Sequence, residues 1–204
     1  MPDGHQTTKE KILETALKLF SRKGYLGATT KEISAESGVA EVTLFRHFSS
    51  KEALFEEVLS TYSFLPALRE IMPSVRNKPY EQALTEIASA HLDILCKRAN
   101  LIKIMHSEVH IYPEKIRKIY FTYIDEIFRT LAAYFDEMQK KGYLRKFDSF
   151  LAARAFFGMF YAYFASAHIF MFNKYNPHDT KCLIREYVGF FVRGTLGEEN
   201  KNHD

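Results

Sequence analysis

Residues 37–48 read SGVAEVTLFRHF. Gly38 can take the left-handed backbone of a tight turn, which residues with a side chain avoid. After it, Val39, Leu44 and Phe48 recur at helical spacing and share one side with Ile33 of the preceding segment. These four supply the apolar glue for two short crossing helices, and Ala35 is the small residue that lets them approach. Glu41, Val42, Thr43, Arg46 and His47 are left on outer or flanking faces. The pattern predicts a helix-turn-helix. A helix about 10 Å wide with short side chains near its start fits the major groove of DNA. An ordinary αα-hairpin has the same apolar spacing, so the outer face must decide between them.

Working outward, helical periodicity recurs throughout and no strand-like alternation persists. Capping signatures stand at Thr7-x-x-Glu10, Thr29-x-x-Glu32 and Ser49-x-x-Glu52. Helices are expected at about 8–23, 30–37, 41–47, 51–73, 79–97, 99–109, 113–141, 148–173 and 179–195. Gly24 should stop the first, and Pro66 should kink or split the fourth. The fold class is all-α: a three-helix helix-turn-helix domain over 1–50, then a larger helical domain over 51–204 rich in Phe and Tyr. The polar ends, 1–6 and 197–204, are expected to be disordered.

Bulk charge does not identify a nucleic-acid binder. The chain carries 28 Lys and Arg against 25 Asp and Glu, and residues 1–60 hold eight basic against nine acidic side chains. Any case for DNA rests on where the basic groups sit. Lys31 and Lys51 fall in the first turns of the helices before and after the candidate reader, where backbone amides also attract phosphate. Two cysteines, Cys96 and Cys182, suit a reducing cytoplasm, and no signal peptide is read at the start.

Residues 155–172 contain no Asp, Glu, Lys or Arg and are long enough to span a membrane. His168, Ser166 and two tyrosines inside the stretch favour a helix buried by its own core and by a partner chain, with no membrane involved. His106 and His110 are four apart, as zinc ligands often are, yet HSEVH lacks a third ligand nearby; Cys96 and His91 would serve only if the fold brought them close. No metal or other cofactor is expected. No phosphate loop or nucleophile elbow is present, so no enzyme is expected.

Residues 8–52, above all GATTKEISAESGVAEVTLFRHFSSKEAL, resemble the DNA-binding domain of the tetracycline-repressor (TetR-like) family of bacterial transcription regulators. The stretch GYLRKFDSFLAARAFFGMFYAYF is similar to the ligand and dimer domain of that family. The resemblance implies that Thr43 contacts bases and that Thr30, His47 and Lys51 contact phosphates. Glu41 and Val42 join Thr43 as base-contacting candidates, Glu41 as an acceptor from a cytosine amino group. Lys31 and Arg46 join the phosphate set. Three positions depart from the family pattern: Phe45 replaces the common Tyr, Ala40 a capping Ser or Thr, and Glu41 a Lys or Ser. The lost cap costs about 1 kcal/mol of local helix stability.

A homodimer is implied as well, and the residues support it. Gly158, Ala162 and Ser166 form a ridge of small side chains, with Tyr187, Phe190 and Phe191 on the last helix. Two heads related by a two-fold axis would reach major grooves about 34–36 Å apart on a palindromic operator. Pocket candidates are Tyr62, Phe64, His91, Met105, Tyr120, Tyr123, Phe128, Phe156, Phe160 and His168, suited to a small hydrophobic or aromatic ligand, an acyl chain among them. Taken singly, each also fits plain core packing. In the family, ligand binding releases the operator. The rival reading is a helical small-molecule carrier without a DNA function.

Overall fold

A computed structural model describes residues 6–170 and 179–197. Among them lie ten helices: α1 (Thr8–Gly27), α2 (Thr30–Ser37), α3 (Glu41–His47), α4 (Lys51–Tyr62), α5 (Phe64–Val75), α6 (Tyr80–Lys97), α7 (Ala99–Glu108), α8 (Glu114–Lys140), α9 (Ser149–His168) and α10 (Thr180–Thr195). The described residues contain no strand, only an isolated bridge between Leu144 and Leu196. The all-α expectation holds. Residues 1–5 and 198–204, read as polar ends, lie outside the described residues, as do 171 and 172 at the close of the uncharged stretch.

Local chemistry explains the short helices. Thr7 and Thr29 both complete a capping box, each accepting from the backbone three residues on while Glu10 and Glu32 reach back. Each box satisfies two backbone donors that the first turn would otherwise leave bare. Gly24, at φ 71° and ψ 177°, breaks α1, but helical hydrogen bonding resumes as far as Gly27. Gly38 closes α2 in the left-handed region at φ 72° and ψ 28°. α4 is capped by Ser50, whose side chain accepts from Ala53, and not by Ser49 as the sequence suggested. The expected helix over 51–73 is two helices. Pro66 has no N–H for the carbonyl four residues back, at Tyr62, and the break falls at Ser63.

The chain forms two compact units. The first comprises residues 1–63 and 98–123, the second 64–97 and 124–204. This partition does not follow the division at residue 50, because α4, α7 and the start of α8 pack with α1 to α3. The chain passes from one unit to the other after Ser63, after Lys97 and, within α8, after Tyr123.

In the first unit, Ile12, Ala16, Leu19, Phe20, Ile33, Leu44, Leu54, Phe55 and Val58 are fully buried, with Leu101, Met105, Tyr112 and Ile116 closing the cluster. Tyr25 stands among three aromatic rings, 5.0 Å from Phe55 and 6.0 Å from Phe20 and Tyr112. Burying each such ring stabilises the unit by roughly 1.5–3 kcal/mol. In the second unit, Leu84, Ile87, Leu131, Phe135, Phe156, Phe160, Phe164 and Val188 form the core. Tyr80 of α6 donates to or accepts from Thr195 of α10 at 3.0 Å, so this buried hydroxyl is satisfied.

α9 explains the uncharged stretch. By length and composition it is the one described helix that could cross a membrane. However, Phe156, Phe157, Phe160 and Phe164 are buried within its own unit, while Leu151, Ala155, Gly158 and Ala162 on the other side are exposed. The helix is therefore two-faced within one chain, and not covered on all sides.

Candidate functional site

The α2–α3 pair stands on the Gly38 turn, with Ile33, Leu44 and Phe48 buried and Val39 packed against them. The small buried residue is Ser34, 4% exposed, whose hydroxyl donates to the Lys31 carbonyl; Ala35 faces solvent. That corrects the assignment of Ala35 as the approach point. α3 starts at Ala40 with no side-chain cap, so its first turn relies on tertiary packing through Leu44.

The outer face of α3 is open. Val42 is 76% exposed and Phe45 44%, so two apolar side chains one turn apart point to solvent. Phe45 was noted in the sequence only as a departure, yet its exposure places it beside Val42 on the reading face. Arg46 and His47 are exposed and Thr43 is half-buried. Glu41 accepts a 2.7 Å hydrogen bond from the Thr30 hydroxyl, which joins the starts of α2 and α3. Two candidate DNA contacts are thus partners of each other in the DNA-free protein.

Charge placement resolves what the totals could not. Glu32, Glu36 and Glu57 are tied to Lys23, Arg22 and Lys9. Lys31 of α2 and Arg46 of α3 are exposed and make no ion pair with any described residue. Lys51 is placed differently: its Nζ lies 4.4 Å from the centre of the Tyr25 ring and is half-buried. Burial lowers its pKa, against the pull of Glu52, Glu108 and Glu32. The Tyr25 hydroxyl donates to Glu52 at 3.1 Å, and burial raises its own pKa.

The ten pocket candidates are distributed over both units. Met105 is buried in the first unit's core, with Tyr62, Tyr120 and Tyr123 partly buried against it; the Arg98 guanidinium lies 5.0 Å from the Tyr62 ring. Phe64, His91, Phe128, Phe156 and Phe160 fall in the second unit, joined by Phe157, which is not among the pocket candidates. Phe157 lies 5.6 Å from Phe64, 4.7 Å from His91, 6.3 Å from Phe128 and 5.5 Å from Phe156. His168 is exposed, stacked on Phe164 and 3.9 Å from the Cys96 sulfur. A depression of about 390 Å³ in the same unit is lined by Arg129, Ala132, Ala133, Asp136, Asp148, Ser149 and Phe150, none of them a pocket candidate.

For the interface candidates, Gly158 and Ala162 are exposed, and the half-buried Ser166 donates to the Ala162 carbonyl. Phe190 is 58% exposed, with the Arg193 guanidinium 5.2 Å from its ring. Phe191 instead stacks 5.6 Å from Phe135 and meets Phe156 edge-on at 5.1 Å, and Tyr187 packs on Phe160, both within their own unit. His106 lies in α7 whereas His110 lies beyond its end, and the described residues contain no cluster of three metal-ligating side chains.

Comparison with known proteins assigns the two parts of the sequence to two family models. Residues 12–58 match the family model of bacterial regulatory proteins, tetR family, and residues 82–194 match the C-terminal domain of AefR-like transcriptional repressors. The chain is 30% identical over 157 residues to the HTH-type transcriptional regulator YvkB of Bacillus subtilis, covering 77% of this chain and 81% of that protein. Among solved structures, a protein of Mesorhizobium loti ascribed to the TetR family of transcriptional regulators superposes with a TM-score of 0.74 at 22% identity, covering 93% of this chain and 97% of the other. The B. subtilis regulator FadR in complex with stearoyl-CoA superposes with a TM-score of 0.73 at 18% identity, covering 90% and 97%.

Proposed function

The chain belongs to the TetR family of bacterial transcriptional regulators, and from that premise we propose a repressor that binds a palindromic operator as a homodimer and is released by a small hydrophobic ligand. The observation that carries the DNA reading is the outer face of α3. It holds Val42 and Phe45 exposed, with Lys31 and Arg46 beside them unpaired by any described carboxylate. Val42, Thr43 and Glu41 are the base-reading set. Thr30, Lys31, Arg46, His47 and Lys51 are the phosphate set, which fixes register without reading sequence. The resulting location is the cytoplasm, where the DNA lies.

The exposed small-residue side of α9 supports the dimer. Leu151, Ala155, Gly158 and Ala162 present an apolar strip that a second copy would cover, with Phe190 of α10 as a large apolar contact. The ring cluster of the second unit supports an apolar ligand. The stearoyl-CoA held by the FadR regulator makes an acyl compound one candidate. Ligand needs only about 1.4 kcal/mol of differential affinity between the two conformations to shift operator occupancy tenfold.

The direct test is selection of duplexes from a random pool by the purified chain, then a screen of hydrophobic compounds for release. A palindromic consensus with half-sites one turn apart or a multiple is expected. A pool that stays unenriched would instead favour a carrier protein, and a monomer at working concentration would remove the paired-head geometry.

A further inference from the structure

The buried face of α6 carries Tyr80, Ala83, Leu84, Ile87, Ala88, His91, Leu92 and Leu95. Two of these side chains bear polar groups, and they differ. Tyr80 shares a hydrogen bond with Thr195, whereas both ring nitrogens of His91 lie buried without a partner, the residue being 7% exposed. The imidazole is held between Phe64 of α5, at 4.8 Å and 59°, and Phe157 of α9, at 4.7 Å and 57°. Phe128 of α8 stacks on Phe157 in turn, at 6.3 Å and 29°.

A buried donor or acceptor left unmet costs stability, and native structures rarely keep one without a use for it. Burial alone pushes the His91 pKa to about 3, with no charged neighbour contributing, so the ring is neutral. A neutral imidazole offers one N–H and one lone pair, exchanged between the nitrogens by tautomerism. The two rings that hold it, Phe64 and Phe157, offer apolar area and ring faces but no compensating charge.

We infer that His91 is the specificity-determining residue of the ligand site, and that it selects an uncharged aromatic ligand bearing a hydroxyl, a phenol above all. The inference rests on the proposal that the second unit takes a hydrophobic ligand. A hydroxyl both donates and accepts, so it pairs with an imidazole nitrogen in either tautomer. A ketone or ether only accepts. A carboxylate brings a charge that phenyl walls leave uncompensated. The ligand would reach His91 among the rings that now hold the imidazole, Phe64 and Phe157.

The test uses the full chain and three probes of one size: 4-propylphenol, propylbenzene and 4-propylbenzoate, titrated by calorimetry. The wild type should bind the phenol about tenfold more tightly than propylbenzene, the size of one hydrogen bond gained by an unmet buried group. The benzoate should bind more weakly than the phenol. His91→Phe should abolish the preference, so that the phenol and propylbenzene bind alike, and His91→Gln, which keeps a donor and an acceptor, should retain part of it. Equal phenol and propylbenzene affinities in the wild type, or equal loss of both in His91→Phe, would overturn the role of His91 while leaving a hydrophobic ligand site standing. If none of the three probes binds the wild type, the ligand site itself is refuted in this unit, and this inference with it.

Discussion

Replacing Lys51 with Ala separates the ring contact made by this side chain from the phosphate contact proposed for it. Its Nζ lies 4.4 Å from the centre of the Tyr25 ring, half-buried, while its backbone opens α4 beside the α2–α3 pair. The ring contact stabilises the first unit by about 1 kcal/mol, between the exposed and desolvated limits for a cation over an aromatic face. A phosphate contact would contribute instead to the salt dependence of binding, at about 0.9 in the slope of log K against log salt for each head. Between 50 and 200 mM salt, losing it from one head lowers the affinity ratio of wild type to variant about 3.5-fold, and from both heads of a dimer about 12-fold. Fluorescence anisotropy on a generic 40-base-pair duplex across that salt range measures the slope, and urea unfolding measures the stability. The expected result is a slope flattened by about 1.8, which also reports that two heads dock together. An unchanged slope alongside a loss of about 1 kcal/mol would show that Lys51 serves Tyr25 and not phosphate, refuting its place in the phosphate set.

Glu41→Gln removes the carboxylate that accepts from the Thr30 hydroxyl at 2.7 Å, on the face proposed to meet DNA. It should tighten generic duplex binding at low salt by about fivefold for each head, for roughly 1 kcal/mol of repulsion relieved in water-like surroundings; equal affinity in the anisotropy assay would place Glu41 away from the phosphates. Gly24→Ala forces a side chain onto φ 71°, ψ 177°, a region kept by glycine, at a cost of about 1–3 kcal/mol. The new Cβ would also stand 2.1 Å from the Glu108 carboxylate, so Glu108→Ala in that background should recover only the steric part; wild-type stability in urea would sink this account. Acid should weaken the fold through His91. The unfolded ring titrates near 6.5 and the folded one near 3, so its contribution is whole above pH 6.5 and is lost at up to about 1.4 kcal/mol per pH unit as pH falls toward 3. Subtracting the pH profile of His91→Phe from that of the wild type should reveal this slope, and identical profiles would contradict it.

What the sequence determined by itself is what is settled within a turn of helix. Thr7 with Glu10, Thr29 with Glu32 and Gly38 mark the start of α1 and the limits of α2 because each acts on backbone groups three or four residues away. Pro66 splits the fourth helix because its missing N–H is a property of the residue alone. Apolar spacing likewise showed that Ile33, Leu44 and Phe48 face inward, and the family followed from that local code. Spacing shows which side of a helix is buried but not what covers it. Only the tertiary structure decided that Ser34, not Ala35, sits under the turn and that Lys51 turns onto Tyr25. The same holds for Phe191, which packs into its own core, and for the pocket candidates, which belong to two different units. Those outcomes depend on which distant segments the chain path brings together, as with Glu108 against Gly24, and no pattern within either segment encodes its partner.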